Sequence, residues 1–267
     1  MKYEKTFLSI TFLLTYFISI ILLPKGFIGA LTIIMVIPAF AAIISILMES
    51  RSLKVLLNPF TYKITLKGLI FAIAFPLIVI FLCGSSAYLT KQGVLSENIS
   101  YIFLDAIKIT LISLTLFIAG LFEEYGWRGY LLPRLLKRYS IKRTNFIMGI
   151  IWSLYYVPAF FILNMHFGLP KAVTYVVLQC AAIFALNYSF TYLYTMSPNV
   201  LLPSIMHILW NNINIATLGY SYNNVSYGFV IGNVKIINGE GLLGLIFLSL
   251  FAIYAHRKFS NHPSLNI

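Results

Sequence analysis

Apolar runs of about 20 residues recur along the whole length of this 267-residue chain. In hydrocarbon no water satisfies the backbone, so a run of that length has one stable form, an α-helix that closes its own hydrogen bonds. The strands of a membrane barrel would be about half as long and would alternate in polarity. The runs fall at roughly 6–24, 27–48, 66–89, 101–122, 145–163, 171–196, 199–218 and 239–256. They predict an all-α polytopic membrane protein of about eight transmembrane helices. Pro38, Pro76 and Pro158 lie inside runs, where neighbouring helices can take up the freed carbonyls. The composition agrees: 60% of residues are hydrophobic and 10% charged, against about 25% charged in soluble domains. Repeats, low-complexity tracts and linkers are not evident, so residues 1–267 read as a single integral membrane domain. The first run follows the charged start Met1-Lys2-Tyr3-Glu4-Lys5. It is long for a signal peptide and no small-x-small cleavage site follows, which predicts an uncleaved anchor.

The net charge of +12 is a matter of topology. Fourteen of the 19 basic residues, among them Lys2, Arg51, Lys63, Arg134, Lys137, Arg138 and Arg257, fall in connections on one side. Lys25, Lys91, Lys171 and Lys235 fall on the other. By the positive-inside rule the richer side is cytoplasmic, with both termini there. No nucleic-acid partner is implied, and the bilayer accounts for the charge. The basic stretch from Arg134 to Arg143 either lies against anionic headgroups or serves as ordinary cytoplasmic anchoring. Lys108 lies inside the fourth run, three residues after Asp105, where the two form either a local ion pair or part of an ion path. Cys83 and Cys180 sit in apolar runs and read as packing residues, with neither a disulfide framework nor a thiolate metal cluster indicated.

Against this background one polar string stands out, Glu123-Glu124-Tyr125-Gly126-Trp127-Arg128, at the end of the fourth run. Ionisable side chains at membrane depth face a protein interior or a wet cavity and mark a working site by default. Arg128 follows Glu124 by four residues, the spacing of an intrahelical ion pair. The charge bias puts Glu123 at the cytoplasmic end of its span, beside a cytoplasm-facing polar cavity. His207 and Asn211 share one face of the seventh run at a similar depth, and Trp152 and Tyr156 share a face of the fifth. A carboxylate can take a proton from water and direct the water at a carbonyl. A histidine and a carboxamide can donate hydrogen bonds to the oxyanion that forms. Such a set suits hydrolysis of an amide bond delivered into the membrane. Polar side chains also join membrane helices at about 0.6 kcal/mol each, and His207 and Asn211 taken alone fit that role equally well.

The string Glu123-Glu124-x-x-x-Arg128, followed by Gly129-Tyr130-Leu131, resembles the first motif of the CPBP family. This family groups type II CAAX prenyl endopeptidases with bacteriocin-processing and immunity proteins. His207-x-x-x-Asn211 resembles its last motif, and the eight-run layout fits as well; the similarity covers about residues 101–218. The resemblance implies that Glu123 is the water-activating base, with Glu124 and Arg128 as its support. It implies that His207 and Asn211 polarise the scissile carbonyl. A middle motif, Phe-x-x-x-His, is met here by Trp152-Ser153-Leu154-Tyr155-Tyr156 with Pro158 following, so Tyr156 stands where the family has a histidine that helps Glu hold the water. A tyrosine, with its pKa near 10, is a poor base at neutral pH.

Some family members are described as metal-dependent and others as metal-free glutamate proteases. With no His-Glu-x-x-His in the chain, the metal-free scheme without a cofactor is favoured; Glu123 and His207 would be the ligands if a metal were used. The resemblance implies an intramembrane endopeptidase acting on a peptide or protein with a membrane-embedded or C-terminal segment. Tyr156 motivates an alternative, a catalytically impaired relative that binds a membrane partner, as in bacteriocin immunity. A small transporter would need paired broken helices in two similar halves, which the runs do not show. The content of Ile, Asn and Lys suggests an AT-rich bacterial genome and hence a bacterial plasma membrane.

Overall fold

The computed structural model describes residues 2–97, 104, 116–221 and 226–259. Asp105, Lys108 and most of the fourth run lie outside the described residues. The other runs all form helices: α1 (Lys2–Leu22), α2 (Ala30–Ser50), α3 (Leu66–Leu89), α5 (Ile141–Asn164), α6 (Leu169–Met196), α7 (Leu201–Leu218) and α8 (Leu242–Lys258). The fourth run enters the described structure as helix α4 over 116–124. Among the described residues six helices are long and apolar enough to cross a membrane. Helix α7 is not one of them, because His207, Asn211, Asn212 and Asn214 dilute its apolar content.

Local chemistry sets the helix starts. The Thr65 hydroxyl accepts the Gly68 N–H at the head of α3, and Ser140 does the same for Arg143 at the head of α5. Pro38, Pro76 and Pro158 remain inside α2, α3 and α5. The helices pack in an arc: α2 on α1, α1 on α5, α5 on α6, α6 on α8, α8 on α3 and α3 on α7, with α7 reaching back to α6. On α1 the buried face is Phe7, Thr11, Thr15 and Ser19. Three of these four are small, which lets α1 approach its neighbours closely where hydrophobicity alone gives no drive. The outward faces carry exposed apolar side chains such as Leu13, Phe17, Phe81, Leu89 and Val177, suited to lipid.

Between α7 and α8 the backbone of residues 226–238 is hydrogen-bonded to its neighbours. Strand β2 (Val230–Gly232) pairs antiparallel with β1 (Gly93–Leu95) after α3, and Val234–Ile237 form a helical turn capped by Asn233. This pairing gathers the turns after α3 and α7 and before α8 at one end of the bundle. Residues 23–29, between α1 and α2, lie at that same end. The basic connections after α2 and α4 form the opposite end.

Candidate active site

Helix α4 does not end at the glutamates. It continues as a π-helical stretch over Tyr125–Leu131 and then as a short α-helical segment, Leu132–Leu136. A π turn widens the helix by one residue, and such turns often occur at functional sites. Here α2 packs hard against it: a Cβ at Gly126 would fall 2.6 Å from the carbonyl carbon of Pro38. Only glycine lets the two backbones approach this far. Glu123 and Glu124 at the end of α4 and Arg128 in the wider turn are all buried.

Glu123 is fully enclosed and held from α5. Trp152 Nε1–H donates to its Oε1 at 2.8 Å. The Tyr156 hydroxyl lies 2.8 Å from Oε1 and 2.7 Å from Oε2. Tyr156 is itself fixed between the rings of Tyr155 and Phe160, and the Tyr155 hydroxyl donates to the carbonyl of Ile34 on α2. Across from this carboxylate, His207 Nε2 on α7 stands 3.9 Å from Oε2.

Glu124 belongs to a second layer. His207 Nδ1 is 2.7 Å from its Oε1, and Arg128 Nη1 lies 3.1 Å from Oε1 and 3.0 Å from Oε2. Arg128 also donates to Asn187 Oδ1 on α6 at 3.0 Å, and Asn187 in turn donates to the backbone and side chain of Asn145. The guanidinium is flanked by the rings of Trp152, at 4.1 Å, and Phe190, at 4.3 Å. The buried guanidinium is thus matched by a carboxylate, a carboxamide and two π faces, as a cation in the interior requires.

Six of the seven residues singled out in the sequence therefore meet: Glu123, Glu124, Arg128, Trp152, Tyr156 and His207. Asn211 lies one turn further along α7 and lines the same cavity as His207. Among the described residues no hydrogen bond joins it to Glu123 or His207. Asn145, Asn187 and Phe190 were not anticipated. A lone carboxamide inside a run was the available signal for the first two.

Two cavities meet this polar layer from opposite ends. The one at the basic end is polar, but of the candidate residues it touches Arg128 alone, beside Asn58, Tyr62, Arg134 and Lys137. The other is lined by Trp152, Tyr156, His207 and Asn211 and runs to Gly219, Ser221, Asn238 and Glu240. Access to His207 is thus from the end away from the basic connections, since Glu124, Arg128 and Asn187 fill the interior on the other side.

The donor set does not suit a metal. Among the described residues no three His, Cys, Asp or Glu side chains stand where they could share an ion. Glu124 is committed to Arg128 and His207. An ion between Glu123 and His207 would have two protein ligands, short of the three that hold a catalytic zinc.

A family model described as "Type II CAAX prenyl endopeptidase Rce1-like" matches residues 105–213. Over that stretch the chain is similar to the type II CAAX prenyl endopeptidases of the CPBP family. The match takes in every residue of the polar layer, including Asn145 and Asn187. A "CAAX prenyl protease 2" of Methanococcus maripaludis is 43% identical over 51 residues, 19% of this chain and 19% of that relative. The chain therefore spans about a fifth of the length of the curated relative it matches.

Proposed function

We propose that this chain is an intramembrane endopeptidase of the CPBP type, in which Glu123 activates water for attack on a peptide bond. The observation that carries this reading is the pair Glu123 Oε2 and His207 Nε2, 3.9 Å apart. One water at about 2.8 Å from each would bridge them. The water gives a proton to Glu123 as its oxygen adds to the scissile carbonyl carbon, and the carbonyl oxygen becomes an oxyanion. The oxyanion then collapses to a carboxyl group as the C–N bond breaks and the proton passes from Glu123 to the leaving amine. Trp152 and Tyr156 hold the carboxylate in one orientation by donating to it, a positioning role. His207 is oriented by Glu124, to which its Nδ1 proton is donated. To donate from Nε2 as well, the ring must carry both protons. It is then an imidazolium, and with Glu123, Glu124 and Arg128 the four charges sum to zero. Asn211, on the same face of α7, supplies a second donor toward the oxyanion.

The relative's name specifies a prenyl protease, and a substrate with a membrane-embedded or C-terminal segment is consistent with it. The charge bias supports a cytoplasmic position for the basic end in a bacterial plasma membrane. With that orientation, the cavity reaching His207 opens on the far side. The test is cleavage of a library of membrane-inserted quenched peptides by purified protein in proteoliposomes. Glu123→Gln is expected to lower the rate by at least about 10²-fold without loss of the fold. An equal rate in the variant would overturn the reading.

One observation favours a second reading, a non-catalytic family member that binds a membrane peptide, as in bacteriocin immunity. The Tyr156 hydroxyl bonds both oxygens of Glu123, in the space a nucleophilic water would share. On this reading neither wild type nor Tyr156→His cleaves any peptide, and Glu123→Gln leaves binding intact.

A further inference from the structure

The cavity that reaches His207 carries a second carboxylate, at its other end. Glu240 precedes α8, is 8% exposed and lines the cavity together with Ser221 and Asn238. The loop presenting it is fixed at nearly every polar atom. Asn238 Oδ1 accepts the backbone N–H of Glu240 and the side chain of Asn214, and its Nδ2 donates to the carbonyl of Gly219. Asn214 Oδ1 accepts the N–H of Gly239. A Cβ at Gly241 would fall 2.7 Å from the Lys235 carbonyl oxygen, and one at Gly239 would fall 2.9 Å from the Trp210 ring. A loop held at this many points presents its side chain in one place, as a binding group requires.

Among the described residues the carboxylate so placed has no cation in direct contact. Lys235, five residues earlier, is buried, but its ammonium turns away: Nζ donates to Asn164 Oδ1 at 2.8 Å and to the Ser221 carbonyl at 2.6 Å, over the ring of Tyr175. Among the described residues no ion pair within 4 Å is formed by Glu240; the Ser221 hydroxyl donates to it at 3.3 Å, the Trp210 indole lies beside it, and Lys235 and His207 act on it only through space. Between Glu240 and His207 the wall is largely apolar, with Met35, Ile183, Leu186, Trp210 and Ile215. An apolar passage with the reacting groups at one end and a carboxylate without a direct ion pair at the other fits an apolar segment that carries one positive charge.

We propose that Glu240 is a specificity residue. It binds the ammonium or guanidinium group of a lysine or arginine in the peptide occupying the cavity, at a set distance from the bond held at Glu123. This rests on the endopeptidase reading for the word substrate, while the binding itself can be measured without turnover. The experiment uses the full chain in lipid nanodiscs and fluorescent apolar peptides in which one lysine is walked along the sequence, each paired with its norleucine counterpart. In wild type, at one register, lysine is expected to bind roughly tenfold or more tighter than norleucine, the value of a charge-assisted hydrogen bond out of water. Glu240→Gln should bring that ratio to about one while norleucine affinity stays as in wild type. Glu123→Gln should keep the ratio whatever it does to cleavage, so failure of the catalytic reading is seen separately. If Glu240→Gln loses both peptides, its fold is lost, and the charge-preserving Glu240→Asp decides: a retained lysine preference supports the proposal and equal affinities overturn it. A wild type with no lysine preference at any register, or a preference that survives Glu240→Gln, also overturns it.

Discussion

A tyrosine hydroxyl has one proton to give, and at position 156 that proton faces two carboxylate oxygens at nearly equal distance. A histidine there could relay a proton; a tyrosine holds the carboxylate still. Tyr156→Phe should therefore leave the fold intact and lower turnover by about 10- to 100-fold, the usual cost of losing a group that orients a reacting one. Tyr156→His should cleave at least as fast as wild type. Both are read as kcat on one peptide, and a Phe variant as active as wild type would contradict the positioning role. Arg128 is a different case, because its removal leaves Glu124 buried beside His207 without its cation. Arg128→Ala should cost about 3–5 kcal/mol of stability, measured by denaturation in detergent. Removing Arg134, whose pairing with Glu49 is partly exposed, should cost about 1 kcal/mol or less.

At the scale of elements, the π turn and α2 form one unit. Since the Cβ of an alanine at 126 would meet the backbone of Pro38, Gly126→Ala has to push the helices apart or rewind the turn. The expected loss is about 1–3 kcal/mol, together with activity, because the turn follows directly on Glu123 and Glu124. A melting temperature equal to wild type would show that the close contact is dispensable. Long helices were legible in the sequence since about 20 apolar residues admit no other form in a bilayer. The π winding was not legible, because no spacing in the string Tyr125–Leu131 distinguishes it from an α-helical turn. The pairing of Gly93–Leu95 with Val230–Gly232 was missed for a similar reason, three residues being too few to show alternation. In the site, Glu123, Glu124, Arg128 and His207 stood out because polar groups are rare in such runs. Asn187 and Asn145 did not, as one carboxamide in a helix has no periodic partner. Glu240 was hidden in a segment whose course depends on the β pairing.

For the whole molecule, the polar layer divides two cavities. On the proposed orientation, with the basic end cytoplasmic, the cavity lined by His207 opens outward. Thr32 is exposed and lines it, so Thr32→Cys should react with a membrane-impermeant thiol reagent added outside intact cells. Lys137→Cys should react only after permeabilisation. The buried Cys83 and half-buried Cys180 are controlled by the parent protein. The reverse pattern would invert the orientation and turn the catalytic cavity toward the cytoplasm. The central claim is that Glu123 makes this layer a hydrolase, and it is tested most directly by cleavage of membrane-inserted quenched peptides in proteoliposomes, comparing wild type with Glu123→Gln. The account predicts cleavage by wild type and a loss of at least about 10²-fold in the variant, at an unchanged melting temperature. Equal cleavage by the two proteins would contradict it.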